Sequence, residues 1–242
     1  MDGIINLNKP LGVTSAKALE QVREITGQRK SGHAGTLDPL ASGVLVLCLG
    51  RATKLVEALM DQPKIYRTAI ALDVTSVSYD REHPLVPVAV AQPPTAERVA
   101  DVLRGFEGTV QQVPPATSAV KIRGRPAYKF SRAGRPVSLT PRPVQIYWIH
   151  VRRYQWPELE VDVACGRGTY VRALVRDIGE RLGTGGCLSA LARLAVGPFR
   201  IEDACTPERL AAGGAEAAMV KLERARELLR ERPVGIPPRP GS

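Results

Sequence analysis

The stretch Gly32-His33-Ala34-Gly35-Thr36-Leu37-Asp38-Pro39-Leu40-Ala41-Ser42-Gly43 constrains this chain more than any other. It lies between a helical pattern, Ser15 to Ile25, and an apolar run, Gly43 to Leu49, of inner-strand length. Its glycines admit backbone angles closed to other residues. Pro39 drives Asp38 out of the helical region. The segment is therefore a shaped loop whose only acid is Asp38. Aspartate before proline commonly initiates a turn, but it is also the one carboxylate this loop can present to a substrate. The loop alone leaves both readings open.

Charge narrows the choice. The 242 residues carry a net charge of +10, and its placement says more than its size. From Gly108 through Pro157 there is no aspartate or glutamate. The same span holds Lys121, Arg123, Arg125, Lys129, Arg132, Arg135, Arg142, Arg152 and Arg153, interleaved with Tyr128, Phe130, Tyr147, Trp148, Tyr154 and Trp156. Cations track phosphates and aromatic faces stack on bases, so this pattern predicts a binder of single-stranded or loop RNA. The structural alternative is a solvated basic face whose aromatics belong to the core. Glycines and prolines mark Pro114 to Pro143 as an excursion from the main body.

Several function classes lack their equipment. Cys48, Cys165, Cys187 and Cys205 are far apart and form no Cys-x-x-Cys pair, so no zinc or other metal site is expected. They read as buried thiols in a reducing compartment. There is no Walker loop, dinucleotide fingerprint, His-Glu-x-x-His or Gly-x-Ser-x-Gly. The opening residues lack the pattern of a signal peptide, and Val44 to Leu49 is far too short to span a bilayer. A cytoplasmic protein without membrane association is expected.

The remaining elements read as follows. Gly3 to Leu7 is a strand followed by a turn, Asn8 to Gly12. Thr14 or Ser15 caps the first helix and Gly27 ends it. Thr53 to Leu59 is a short helix. Lys64 to Leu72 alternates, placing Tyr66, Thr68, Ile70 and Leu72 on one face. Glu97 to Phe106 is an amphipathic helix, and Val144 to Tyr154 pairs with Leu159 to Cys165. Gly166-Arg167-Gly168-Thr169 turns the chain into a helix from about Tyr170 to Leu182. Arg172 sits in its first turn, where the helix dipole disfavours a cation, so it asks for an anion nearby. Ala190 to Val196 is a strand, Thr206-Pro207-Glu208 starts a helix, Glu216 to Arg230 is mostly helical, and Pro233 to Ser242 is a tail.

Six ordered segments resemble the TruB family of tRNA pseudouridine-55 synthases. They are Gly3 to Pro10, Gly32 to Gly43, Lys64 to Arg67, Ser118 to Lys121 with Tyr128 to Gly134, Cys165 to Arg172, and Leu191 to Leu194. The resemblance implies an α/β fold of α+β type, with a mixed, largely antiparallel, bent sheet flanked by helices. It implies isomerisation of a uridine in the tRNA T-loop to pseudouridine. The N1–C1′ bond breaks, the base turns, and C5 joins C1′, so no redox cofactor or energy source is required. By resemblance Asp38 is the nucleophile, adding to the sugar or promoting a glycal by elimination. Arg172 is its cationic partner. Tyr66 stacks on the flipped uracil and takes part in proton transfer. His33 helps fill the disrupted T-loop stack, Tyr170 and Leu191 line the uridine pocket, and Lys9 supports the site or a phosphate. The basic segment, including Lys121, Arg123, Lys129 and Arg132, is the RNA-contacting thumb.

Two departures from the family pattern qualify this expectation. Asp73 to Asp80 lacks the usual Gly and Thr-Asp-Thr pattern. The expected organisation is a catalytic domain over 1–212 with a thumb at 114–143. A short helical extension and proline-rich tail over 213–242 then replace a full C-terminal RNA-binding domain. Other functions are a dyskerin-like synthase acting on ribosomal RNA and a catalytically idle RNA-binding or tRNA-folding protein. A monomer that needs no protein partner is the default expectation.

Overall fold

The protein is described from a computed structural model, which covers residues 1–117, 121–122, 125–126, 139–231 and 237–240. In its first part the chain forms strand β1 (Gly3–Lys9), helix α1 (Ser15–Thr26) and strands β2 (Ser31–His33) and β3 (Ala41–Leu49). Helix α2 (Val56–Asp61), β4 (Lys64–Ala71), β5 (Val74–Thr75), β6 (Val86–Pro87), helix α3 (Ala96–Arg104) and β7 (Gly108–Gln112) follow. Next come β8 (Lys121–Ile122), β9 (Arg125–Pro126), β10 (Arg142–Gln155), β11 (Glu158–Cys165), helix α4 (Val171–Leu182), β12 (Cys187–Val196) and β13 (Phe199–Arg200). The last elements are α5 (Pro207–Gly213), α6 (Ala215–Ala218), β14 (Met219–Lys221) and α7 (Leu222–Glu231). The chain divides into two compact units, residues 1–67 with 190–242 and residues 68–189.

The first unit is built on β3. Val44 through Leu49 are all fully buried, as an inner strand covered on both faces requires. Each such side chain contributes ~1.5–3 kcal/mol of burial. β1 runs antiparallel along one edge of β3, from Gly3 opposite Leu49 to Lys9 opposite Gly43. The other edge is shared. β12 pairs in parallel at the start, with Leu191 opposite Ala41, and β2 pairs antiparallel at the end, with His33 opposite Leu47. Mixed pairing is thus present, as expected. Ile4, Val44, Val46, Leu59, Phe199 and Leu222 form one apolar core. Thr14 caps α1, its hydroxyl accepting from the Lys17 amide at 3.1 Å, and Gly27 ends it at φ 65°.

Two local expectations are corrected here. The helix expected over 53–59 is a 3-10 turn, Gly50–Leu55, leading into α2. The helix expected over 216–230 is broken by β14, which pairs antiparallel with β1 from Gly3–Lys221 to Ile5–Met219. The C-terminal residues therefore add a strand to the sheet as well as helices, because an open edge of β1 satisfies the 219–221 backbone.

In the second unit the strand order is β4-β11-β10-β7. β10 lies antiparallel to both β11 and β7. α3 buries Val99, Val102 and Leu103, and α4 buries Val171, Leu174, Val175 and Ile178. The Arg181 guanidinium lies 3.8 Å over the Phe106 ring, closing the apolar face with a cation–π contact. The aromatic part of the basic span divides. Trp148 is core, and the Tyr154 hydroxyl donates to the Pro94 carbonyl at 2.6 Å. Arg142, Arg152 and Arg153 are exposed. No helix among the described residues is long and apolar enough to cross a membrane.

Candidate active site

The turn that carries Asp38 leaves β2 at His33 and enters β3 at Ala41. Its backbone is pinned on both sides of the aspartate. Ser15, at the start of α1 and 2% exposed, both accepts from the Leu37 amide at 2.8 Å and donates to the Leu37 carbonyl at 2.9 Å. The Gly12 amide donates to the Pro39 carbonyl at 2.8 Å, and the Ala41 amide donates to the Asp38 carbonyl at 3.0 Å. Asp38 itself is half-buried. Gly43 closes the turn at φ 102°, and a Cβ there would fall 2.3 Å from the Arg193 carbonyl oxygen. Only glycine meets both demands.

Lys9 lies fully buried at the end of β1 and donates to the carbonyls of Pro10 at 2.9 Å and Val13 at 2.6 Å. Burial pushes its pKa down to about 8; the charge of Asp38 opposes that shift and that of Arg193 adds to it. His33 is half-buried, with Nδ1 inside and without a hydrogen-bond partner among the described residues. Burial, and then the Arg193 charge, hold its pKa below the usual value. Leu191 is 9% exposed beside Ala41. Lys9, His33, Asp38 and Leu191 thus gather around one turn. Tyr66, on the first half of β4, which belongs to this unit, is half-buried.

Two measurements test this environment. Replacing Ser15 with alanine strips both hydrogen bonds from Leu37 and is expected to cost about 1–3 kcal/mol in urea unfolding. Lys9 should leave a pH signature. Its folded pKa of about 8 lies below the ordinary lysine value of 10.5, so between these values the unfolded chain binds more protons and stability rises with pH. The buried thiols of Cys48, Cys187 and Cys205, pushed upward by burial, act in the opposite sense above about pH 9. The comparison is therefore between wild type and Lys9→Met at pH 7.5 and 9. Wild type should gain stability over that interval relative to the variant.

In the second unit, Tyr170 caps α4 and its amide donates to the Gln112 side-chain oxygen at 2.8 Å. One residue pair further on, Arg172 is 6% exposed. Its Nη1 donates to Thr117 Oγ1 at 2.7 Å and pairs with Asp80 Oδ2 at 3.3 Å. The anion demanded by a cation in this first turn is, within the unit, a carboxylate. Asp80 is 2% exposed and held from every side. Ser78 Oγ and the Glu82 amide donate to Oδ1, at 2.5 and 3.0 Å, and Ser76 Oγ accepts from the Asp80 amide at 3.1 Å. Asp80, Glu82 and His83 bring possible metal-ligand atoms within 4.8 Å of one another. The Asp80 oxygens, however, are already committed to Arg172, Ser78 and Glu82.

Of the basic residues singled out by sequence, Lys121 begins β8, which pairs with β9. Arg123, Lys129 and Arg132 lie outside the described residues. Sequence reasoning missed three side chains. Ser15 reads as a helix cap, Arg193 is one letter of a late motif, and Asp80 falls in the segment that departs from the family pattern. Nothing local marks any of them, because their partners lie 22, 149 and 92 residues away.

The first unit thus presents one carboxylate, that of Asp38, on a braced turn beside the buried side chains of Lys9 and Arg193. The chain belongs to the TruB family: residues 23–171 match the family model "TruB family pseudouridylate synthase (N terminal domain)". Residues 172–231 match the model "tRNA pseudouridylate synthase B C-terminal domain". The chain is 46% identical over 214 residues to the tRNA pseudouridine synthase B of Syntrophus aciditrophicus, covering 88% of this chain and 68% of that one. It is 38% identical to the protein of the same name from Bordetella avium, covering 98% and 96%. Among solved structures it resembles a chain of a Cbf5-Nop10-Gar1 complex, with TM-score 0.73 and 30% identity over 93% of this chain. It spans 62% of that longer chain.

Proposed function

We propose that this protein is a tRNA pseudouridine synthase that isomerises a uridine in the T-loop, at position 55. The observation that carries this reading is the braced Asp38 turn in a chain that is 46% identical to a tRNA pseudouridine synthase B. In the proposed reaction the target uridine leaves its stack and meets Asp38. The carboxylate drives cleavage of N1–C1′ by adding to C1′ or by promoting elimination to a glycal. The freed uracil turns and C5 bonds to C1′, displacing the carboxylate from C1′ in the first route or adding to the glycal as the lost C2′ proton returns in the second; the C5 proton then departs while N1 gains one, so the atoms balance without a cofactor. Tyr66 stacks on the flipped base and takes part in proton transfer. Arg172 is the cationic partner of the reacting carboxylate. His33 fills the gap left in the T-loop, and Tyr170 and Leu191 line the uridine pocket. Lys9 keeps the turn and its charge in place. The basic segment with Lys121, Arg123, Lys129 and Arg132 holds phosphates, and the protein acts as a cytoplasmic monomer.

The test incubates the protein with an unmodified tRNA transcript and, separately, with ribosomal RNA fragments, and maps pseudouridine. Product at the T-loop uridine of tRNA is expected. Intact binding without product would instead favour an idle RNA-binding protein, and product confined to ribosomal RNA would favour the dyskerin-like alternative. Affinity should also fall steeply with added salt; a flat response removes the phosphate role of the basic segment.

A further inference from the structure

We propose that Arg193 is the positioning residue of the Asp38 turn, a non-covalent clasp that fixes where the carboxylate stands. The inference rests on the reading of Asp38 as nucleophile. Arg193 lies on β12 opposite Gly43 in the parallel register, and it is 1% exposed. Its Nε donates to the Val44 carbonyl at 2.7 Å and its Nη2 to the Gly35 carbonyl at 3.0 Å. Those two carbonyls flank the segment carrying Asp38, one before it and one after. A guanidinium holds its donors in a rigid planar fork, so bonds to both carbonyls fix the separation of the two ends of the turn. The main chain of Arg193 closes the same turn from beneath, since the Arg193 carbonyl oxygen occupies the space a Gly43 side chain would need.

This placement also explains why so costly a group is buried. A guanidinium removed from water is destabilising unless its donors are satisfied, and a hydrophobic residue of similar size would fill the space without that penalty. What the arginine adds is a defined geometry. Its charge reaches the site as well, because it lowers the pKa of both Lys9 and His33. A buried polar fork that spans the turn of a reactive carboxylate supplies the supporting shell that catalytic placement needs.

The experiment compares Arg193→Lys, which keeps the charge but loses the fork, with Arg193→Met, which loses both. Asp38→Asn serves as the control. For each variant kcat under single turnover, affinity for unmodified tRNA and the thermal midpoint are measured. Misplacing a reacting group by about 1 Å costs on the order of 100-fold. Arg193→Lys is therefore expected to lose about that much in kcat with tRNA affinity close to wild type and a thermal midpoint lowered less than in Arg193→Met. Hydrogen exchange at the Ala41 amide, bonded to the Asp38 carbonyl, should quicken in both variants, and it reports on the turn even where Arg193→Met folds poorly. Wild-type kcat in Arg193→Lys, or a loss shared equally by affinity, overturns the proposal. An active Asp38→Asn enzyme removes the nucleophile reading itself; an inactive one beside a fully active Arg193→Lys enzyme removes the clasp alone.

Discussion

Asp38→Asn is expected to reduce pseudouridine formation by a factor on the order of 10⁴ or more, with tRNA affinity nearly unchanged. The substitution is close to isosteric. Three bonds that shape the turn use main-chain atoms around the aspartate and are left in place: Ser15 to Leu37, Gly12 to Pro39, and the Ala41 amide to the Asp38 carbonyl. The loss should therefore be chemical and leave the fold intact, which circular dichroism and urea unfolding can confirm. A second signature follows from the charge of Asp38, which holds the Lys9 pKa up against burial. Removing it should push Lys9 below its value of about 8, and NMR of a lysine-labelled sample would detect the change. Residual normal turnover would reject Asp38 as the nucleophile.

Arg172→Met is expected to lower both stability and turnover. Arg172 and Asp80 are 6% and 2% exposed and face each other at 3.3 Å. Breaking a buried pair from one side leaves a charge without its counterion, at a cost of about 3–5 kcal/mol. Ser78 and the Glu82 amide still donate to Asp80, so the lower part of that range is expected. Adding Asp80→Asn to Arg172→Met removes the stranded carboxylate. The double variant should regain part of the stability in urea unfolding while turnover stays low, because the cation proposed to serve Asp38 is still missing. Equal recovery of both quantities would make Arg172 a structural residue only.

The contrast between these residues shows what is legible in a sequence. The Asp38 turn is legible because its signals are local: glycines, one proline, one acid and a following apolar run. β3 is recognisable for the same reason, and its burial on both faces follows from six consecutive residues, Val44 to Leu49, that leave no polar side. The paired strands β10 and β11 and the helices α1, α3 and α4 follow from alternation, caps and apolar stripes. β14 is hidden, since three residues inside a helical pattern carry no strand signal of their own. They become a strand only because the edge of β1 offers unpaired backbone. The aromatics of the basic span show the opposite error. Composition groups Trp148 and Tyr154 with the cations, whereas packing places one in the core and ties the other to Pro94.

Sequence by itself determined the family resemblance, the shaped turn with its single carboxylate, and the unusual cation at the start of α4. Each depends on residues close together in the chain, whose backbone preferences and charges act over a few ångströms. Tertiary structure alone decided that Ser15 grips Leu37, that Asp80 answers Arg172, and that Arg193 joins Gly35 to Val44. Those contacts depend on which strands become neighbours. Hydrogen bonds and buried charges act only at contact distance, so their partners are set by the fold and not by nearness in the chain.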